Sequence, residues 1–230
     1  MPDRPTGRAR MPCPPCDRLR AGYLAKDPKG TSVLGDLGRL HEAEVLFTQI
    51  LRDRVRVLGS DHKASLTALS HMCWLRRRQE RFDEALTLAV ELRQRLEQSL
   101  GPDHPETLGC DHNRAVILRK LGQLDEAARM IERVLRLRTE ELGPNAYPTL
   151  LSRREAAKID AARGMLEQAH ASLQMAATRQ AILLGPRSID APSTEIDAAE
   201  VGERLGVDDA LTRARMRTSI HNLTSMTGPN

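Results

Sequence analysis

The chain has 230 residues, of which 35 are Lys or Arg and 31 Asp or Glu, for a formal net charge of +4. It is 40% hydrophobic but only 2% aromatic and has four cysteines. That composition excludes a disulfide scaffold and a strand-rich core, and it favours helices built from Leu, Ala and Arg.

Residues 1–30 hold several Pro and Arg and no helical period, so the expectation is a disordered N-terminal segment. It shows no apolar stretch of the secretory kind, and no run anywhere approaches the roughly 20 apolar residues of a membrane span. The expected compartment is a reducing cytoplasm. Cys13-Pro-Pro-Cys16 is a lone C-x-x-C. A redox role would need a βαβ setting, and a zinc site a second ligand pair. Lys29-Gly30-Thr31 lacks the glycine framework of a phosphate-binding loop. Thr31 to Leu37 reads as a short remnant of a first helix.

From there the chain repeats itself every 42 residues. Ala43, Ala85, Ala127 and Ala169 keep that spacing, and so do Leu40, Phe82, Leu124 and Leu166. Leu-Gly pairs recur at Leu58-Gly59, Leu100-Gly101, Leu142-Gly143 and Leu184-Gly185. Gly38, Gly122, Gly164 and Gly206 fall in step, with Glu80 the exception. A fixed period of this length signals a repeat architecture.

Each unit reads as two helices, clearest in the third. Asp103-His104-Pro105 supplies an N-cap and a proline suited to the first turn. Leu108, Ala115, Ile117, Leu118 and Leu121 form an apolar stripe, and Gly122 suits a left-handed helix end. The second helix opens at Leu124, with Asp125 expected as its cap, and buries Ala127, Met130, Ile131, Val134, Leu135 and Leu137. The repeated alanine lets two antiparallel rods touch near their turn, opposite a small-residue column of Cys73, Ala115 and Ala157. One hairpin cannot bury both faces, so neighbours must stack into a solenoid.

The units run near 31–60, 61–102, 103–144 and 145–185. Residues 186–195 read as a loop, Thr194 to Leu205 as a helix and Asp208 to Leu223 as another, a degenerate capping repeat over 186–223 before a tail at 224–230. Arg76 and Asp160 occupy a column that elsewhere is apolar, which predicts irregular packing in the second and fourth units.

"GQLDEAARMIERVL" (Gly122 to Leu135) resembles the second helix of a tetratricopeptide repeat (TPR), and "TLGCDHNRAVILRKLG" (Thr107 to Gly122) resembles the first helix of the long, 42-residue subtype of kinesin light chains. The resemblance covers about residues 36–185. It implies an all-α fold, a right-handed α-solenoid of stacked antiparallel hairpins whose first helices line a concave groove. Carried over residue by residue, it places Ser70, Trp74, Arg77 and Arg78 on that surface, then His112, Asn113, Val116, Arg119 and Lys120, then Leu151, Arg154, Glu155 and Lys158. Asn113 stands where family members hydrogen-bond a bound peptide's backbone, with a solvated side chain as the alternative. Arg77 and Arg119 are one period apart, as are Arg78 and Lys120, so two basic rows are expected, extended by Arg154 and Lys158. Such rows suit a peptide with acidic groups or a C-terminal carboxylate. Solvated helix faces are the alternative for the cations, and packing between hairpins is the alternative for Trp74.

No nucleophile–base–acid constellation appears, and the Asp61-His62 and Asp103-His104 pairs have the spacing of caps rather than of metal ligands. No cofactor is expected. Asn222-Leu223-Thr224 fits a glycosylation sequon with nothing else pointing to secretion. With one Trp, two Tyr and two Phe, the chain lacks the aromatic platforms of single-strand nucleic-acid binders. The leading expectation is therefore a non-enzymatic adaptor that binds a protein or peptide, with no membrane role. The competing readings are a sensor arm of a larger signalling protein with a nucleotide-binding domain, and a homo-oligomeric scaffold that associates through its ends.

Overall fold

A computed structural model describes residues 40–184 and 190–207. The 1–30 segment with Cys13 and Cys16, the Thr31–Leu37 helix remnant, the helix expected at Asp208–Leu223, Asn222 and the 224–230 tail lie outside the described residues. Eight α-helices and no strand occur among those described. We number them α1 (Leu40–Leu58), α2 (Lys63–Arg78), α3 (Phe82–Leu100), α4 (Pro105–Lys120), α5 (Leu124–Leu142), α6 (Tyr147–Ala162), α7 (Leu166–Leu184) and α8 (Asp190–Leu205). The chain divides into two compact units, one ending at Leu88 and one starting at Ala89, so the boundary falls inside α3.

The 42-residue register holds helix by helix. α1, α3, α5 and α7 begin at Leu40, Phe82, Leu124 and Leu166, and α2, α4 and α6 at Lys63, Pro105 and Tyr147. Ala43, Ala85, Ala127 and Ala169 are each fully buried. α8 begins at Asp190, four residues before the expected Thr194. Pro192 had suggested a loop, but in the first turn of a helix its missing N–H has no intrahelical partner to lose.

In the first unit, Ala43 and Phe47 of α1 pack on Met72 and Leu75 of α2, with Leu40, Leu51, Trp74 and Leu88 around them. Cys73 sits against the start of α3, its thiol 3.4 Å from the Ala85 carbonyl. Burial pushes that thiol up to about 11, so it stays protonated near neutrality. In the second unit, Ala157 and Ala161 of α6 meet Ala169 and Leu173 of α7 and Ala198 and Val201 of α8. Here α7 and α8 also touch at Gly202, where a Cβ would stand 2.9 Å from His170 Cε1. His170 Nδ1 lies 2.8 Å from the Ala198 carbonyl, which fixes the ring against that bare patch of α8.

The helix ends follow local chemistry with one correction. His62 and His104 cap α2 and α4, their Nδ1 atoms accepting from the Ala64 and Glu106 amides at 3.1 and 3.2 Å. Beside His104, Asp103 holds Arg133 at 2.5 Å. Asp125 is not the cap of α5: Gln123 takes that position without a side-chain bond. Asp125 lies one residue inside the helix, where its charge faces the positive end of the dipole, and it reaches Arg163 at 3.3 Å. Gly122 has φ 77, as its place at a helix end demands, and Glu80 adopts φ 58 at the matching position.

A further buried column escaped the apolar pattern. Ser65 and Thr107, 42 residues apart, donate to the Gly59 and Gly101 carbonyls at 2.7 and 2.9 Å and so satisfy groups that end the preceding helices. Thr149, the next in the column, donates to the Arg138 carbonyl at 3.2 Å.

Candidate peptide-binding face

The expected face residues divide between the two compact units. In the first, Trp74 is half-buried and packs against the Phe47–Met72–Leu75 cluster, so its indole is partly a core group. The exposed Arg78 guanidinium lies 5.8 Å from the centre of that ring, a cation–π distance. Arg77 is half-buried beside it on α2.

In the second unit, α4 presents His112, Asn113, Val116 and Arg119 half-buried and Lys120 exposed, and α6 presents Arg154 and Lys158 half-buried. Three of these cations are already occupied. Arg119 Nε donates to Glu155 Oε1 on α6 at 2.7 Å. Arg154 Nε donates to Asp197 Oδ2 on α8 at 2.5 Å, and Lys158 Nζ donates to Asp197 Oδ1 at 2.8 Å. Arg154 also reaches the Ser193 carbonyl at 3.1 Å. The expected basic extension is thus a ladder of ion pairs that joins α4 to α6 and α6 to α8. Both acids are buried, Glu155 at 7% and Asp197 at 9% exposure, which makes each pair a fixed part of the structure rather than a loose surface contact.

The signal for this ladder lies in the sequence. Asn113, Glu155 and Asp197 are 42 residues apart, so the column that carries a carboxamide on α4 carries a carboxylate on α6 and α8. Cations one repeat earlier find those carboxylates. Counting basic residues along the face without counting the acids in the neighbouring column overstates its charge. Lys120 keeps an exposed ammonium.

Two buried polar groups were missed altogether. Ser152 on α6 accepts from Arg138 Nη1 at 2.8 Å and stands 3.5 Å from His112 Nδ1. Asp111, 4% exposed on α4, holds Arg93 at 3.3 Å, Arg114 at 3.1 Å and Arg133 at 3.5 Å. Among the described residues no cluster of three or more His, Cys, Asp or Glu side chains is arranged to hold a metal ion. No described helix is long and apolar enough to cross a membrane.

Sequence models of the tetratricopeptide repeat match residues 32–63 and 66–106 in one case and 109–180 in another, together more than half of the chain. No curated protein matches. The fold is similar to the nearly identical TPR-like repeats of a Podosopora anserina protein assigned to the kinesin light chains, with 19% identity, a TM-score of 0.63, and coverage of 92% of this chain and 98% of that one. A point variant of that same protein gives 20% identity and a TM-score of 0.64, covering 91% and 96%. BtubC (BKLC) from P. vanneervenii gives 18% identity and a TM-score of 0.67, covering 94% and 85%. At these identities the likeness is one of fold, and it agrees with the all-helical hairpins and with the 42-residue register. The chain therefore belongs to the tetratricopeptide repeat family, here with a 42-residue register.

Proposed function

We propose that the chain is a non-enzymatic adaptor, and that the α4–α6–α8 face of its second unit takes an extended segment of a partner protein. Tetratricopeptide repeats are protein-interaction modules in general; the face, the ligand and the cytoplasmic setting are this reading's own. One observation carries it. The Arg119–Glu155 and Arg154/Lys158–Asp197 pairs hold successive first helices together, while His112, Asn113, Val116 and Lys120 stay at the surface of α4. A polar surface fixed by its own ion pairs spends little ordering entropy when a flexible chain docks on it. Asn113 offers a donor and an acceptor to a peptide backbone, and Lys120 offers a charge to an acidic side chain. Within the reading, 31–185 supplies the repeats and 186–223 caps them. No cofactor takes part, nucleic acid is not the ligand, and self-association through the ends would appear as a dimer in light scattering.

Affinity capture with mass spectrometry, using the full chain and an Asn113→Ala/Lys120→Glu variant, tests the reading. The expected result is a set of partners captured by the wild type and depleted at least about tenfold by the variant, the scale of losing one charged and one neutral hydrogen bond. An unchanged set refutes it. Arg119→Glu is a poor probe, because it would set a second carboxylate against the buried Glu155.

A further inference from the structure

The column that carries Asn113, Glu155 and Asp197 begins at His71 on α2, the one imidazole of the four. His71 is half-buried and meets Phe47 of α1 in a T-shaped contact, with 5.3 Å between ring centres and 82° between ring planes. Phe47 is 1% exposed and packs with Ala43, Met72 and Leu75 in the core of the α1–α2 hairpin. The imidazole is therefore part of the seal between the two helices.

Seven residues after Phe47, and so on the same side of α1, stands Arg54, 6% exposed. Its Nη1 donates to the Ala64 carbonyl of α2 at 2.9 Å, and its Nε is buried with no partner. Among the described residues its bonds reach no carboxylate. The matching position one period later is Leu96, so the hairpin does not require a cation there. A buried guanidinium of this kind leaves a positive field in the seam that nothing nearby cancels. The neighbouring charges are engaged elsewhere. On α1, Glu44 holds Arg76 and Arg81, and Asp53 holds Arg56. At the start of α3, Glu84 holds Arg76 and Arg81 as well. On α2, Lys63 and Arg78 stand about two turns to either side of His71 and would add to the positive field. Burial and the charge of Arg54 hold the His71 imidazole below its usual range.

We propose that His71 is a proton-operated latch on the α1–α2 hairpin. Neutral, it closes the seam against Phe47; protonated, it sets a second cation opposite Arg54 and loosens α1 from α2. The latch belongs to the first unit and does not depend on the face proposed in the second. The unfolded chain takes up this proton near the ordinary imidazole value of about 6.5, whereas the folded hairpin takes it up only at lower pH. Stability is therefore full above that value and is lost as the pH falls from it through the folded-state value. Glu44, whose carboxyl is held below its usual range, stays charged at pH 5 and does not contribute to the loss in this window.

The test follows the full chain by the fluorescence of Trp74, its only tryptophan, which packs against the same core. Urea unfolding at pH 7.5 and pH 5.0 is compared for the wild type and for two variants that borrow side chains from the next repeat: His71→Asn copies Asn113, and Arg54→Leu copies Leu96. The expected result is that acid raises the unfolded-to-folded ratio at least about threefold more in the wild type than in His71→Asn, with Arg54→Leu between them. NMR of the histidine rings reads the group itself. In the folded wild type the His71 ring should titrate below the ordinary value, and in Arg54→Leu its midpoint should move up. A smaller difference in acid response between the wild type and His71→Asn overturns the proposal. So does a His71 midpoint at or above the ordinary value in the folded chain, or one that Arg54→Leu leaves in place. If either variant fails to fold, the ring titration of the wild type decides.

Discussion

The α2–α3 and α4–α5 turns share a backbone and differ in chemistry. In each, the residue after the C-cap turns left-handed, and the amide that follows reaches back across five residues: Arg81 to the Arg76 carbonyl and Gln123 to the Leu118 carbonyl, both at 2.9 Å. At the first turn the left-handed residue is Glu80, at the second Gly122. At the first, Arg76 gathers Glu44 at 2.7 Å and Glu84 at 3.2 Å; at the second, Leu118 is 1% exposed in hydrocarbon. The hairpin is thus set by its register and by the alanine at its crossing. Its base accepts either an ion-pair cluster or an apolar plug. The irregularity expected at Arg76 and Asp160 takes the form of exchanged chemistry, since α2, α4 and α6 each keep 16 residues.

The comparison can be broken at its apolar side most severely. Leu118→Ala should cost about 2–5 kcal/mol in urea denaturation of the full chain, as a cavity opens where nothing can refill it. Arg76→Leu, which copies the apolar base, should cost under about 1 kcal/mol, because the carboxylates it leaves, Glu44 and Glu84, are 25% and 50% exposed and can hydrate. Equal losses at both positions would mean that the ion-pair base is not interchangeable.

The crossing itself should respond alike in both hairpins. Ala85→Leu and Ala127→Leu, each at a fully buried position, should each destabilise by about 1–3 kcal/mol through overpacking. A tolerated substitution at either site would show that the helices do not meet there. At the turns the signs should oppose. Glu80→Gly removes a side chain from a left-handed residue and should stabilise by up to about 1 kcal/mol, while Gly122→Ala should destabilise by a similar amount. Thermal midpoints that move the same way for both would contradict the shared geometry.

The smallest effects are in pH dependence. A side-chain hydrogen bond from Gln79, with help from Arg76 and Arg81, holds the Glu44 carboxyl below its usual range. Its contribution is therefore present at neutral pH and lost as the pH falls through the acid range. At the α6–α7 turn, burial pushes the Asp160 carboxyl up, with Arg163 opposing and Glu132 adding to it. That group disfavours the folded state at neutral pH and ceases to do so once protonated. Glu44→Gln should therefore destabilise at pH 7 and Asp160→Asn stabilise, and both differences should shrink towards pH 3. Differences that persist at low pH would locate the effect in packing instead.

Periodicity made the fold legible. Ala43, Ala85, Ala127 and Ala169 mark the places where helices cross, and all four are buried as that spacing demands. The face was legible only in position. Arg119, Arg154 and Lys158 lie on the first helices as carried over from the family, but their charges are consumed by Glu155 and Asp197. Pairs of that kind join different repeats, and a reading of one repeat at a time does not bring them together. Arg138 was missed for a related reason. It belongs to a second helix, and its partners, the Pro148 carbonyl and Ser152, lie on the first helix of the next repeat.

The central claim is that the first-helix face of the second unit meets the partner. Photo-crosslinking from p-benzoylphenylalanine in place of Val116, half-buried on α4, against the same probe in place of Arg129, exposed on α5, tests it most directly. The account predicts discrete crosslinked partners from position 116, suppressed by Asn113→Ala/Lys120→Glu, and none in common from position 129. The same partners from position 129, with none from 116, would contradict it.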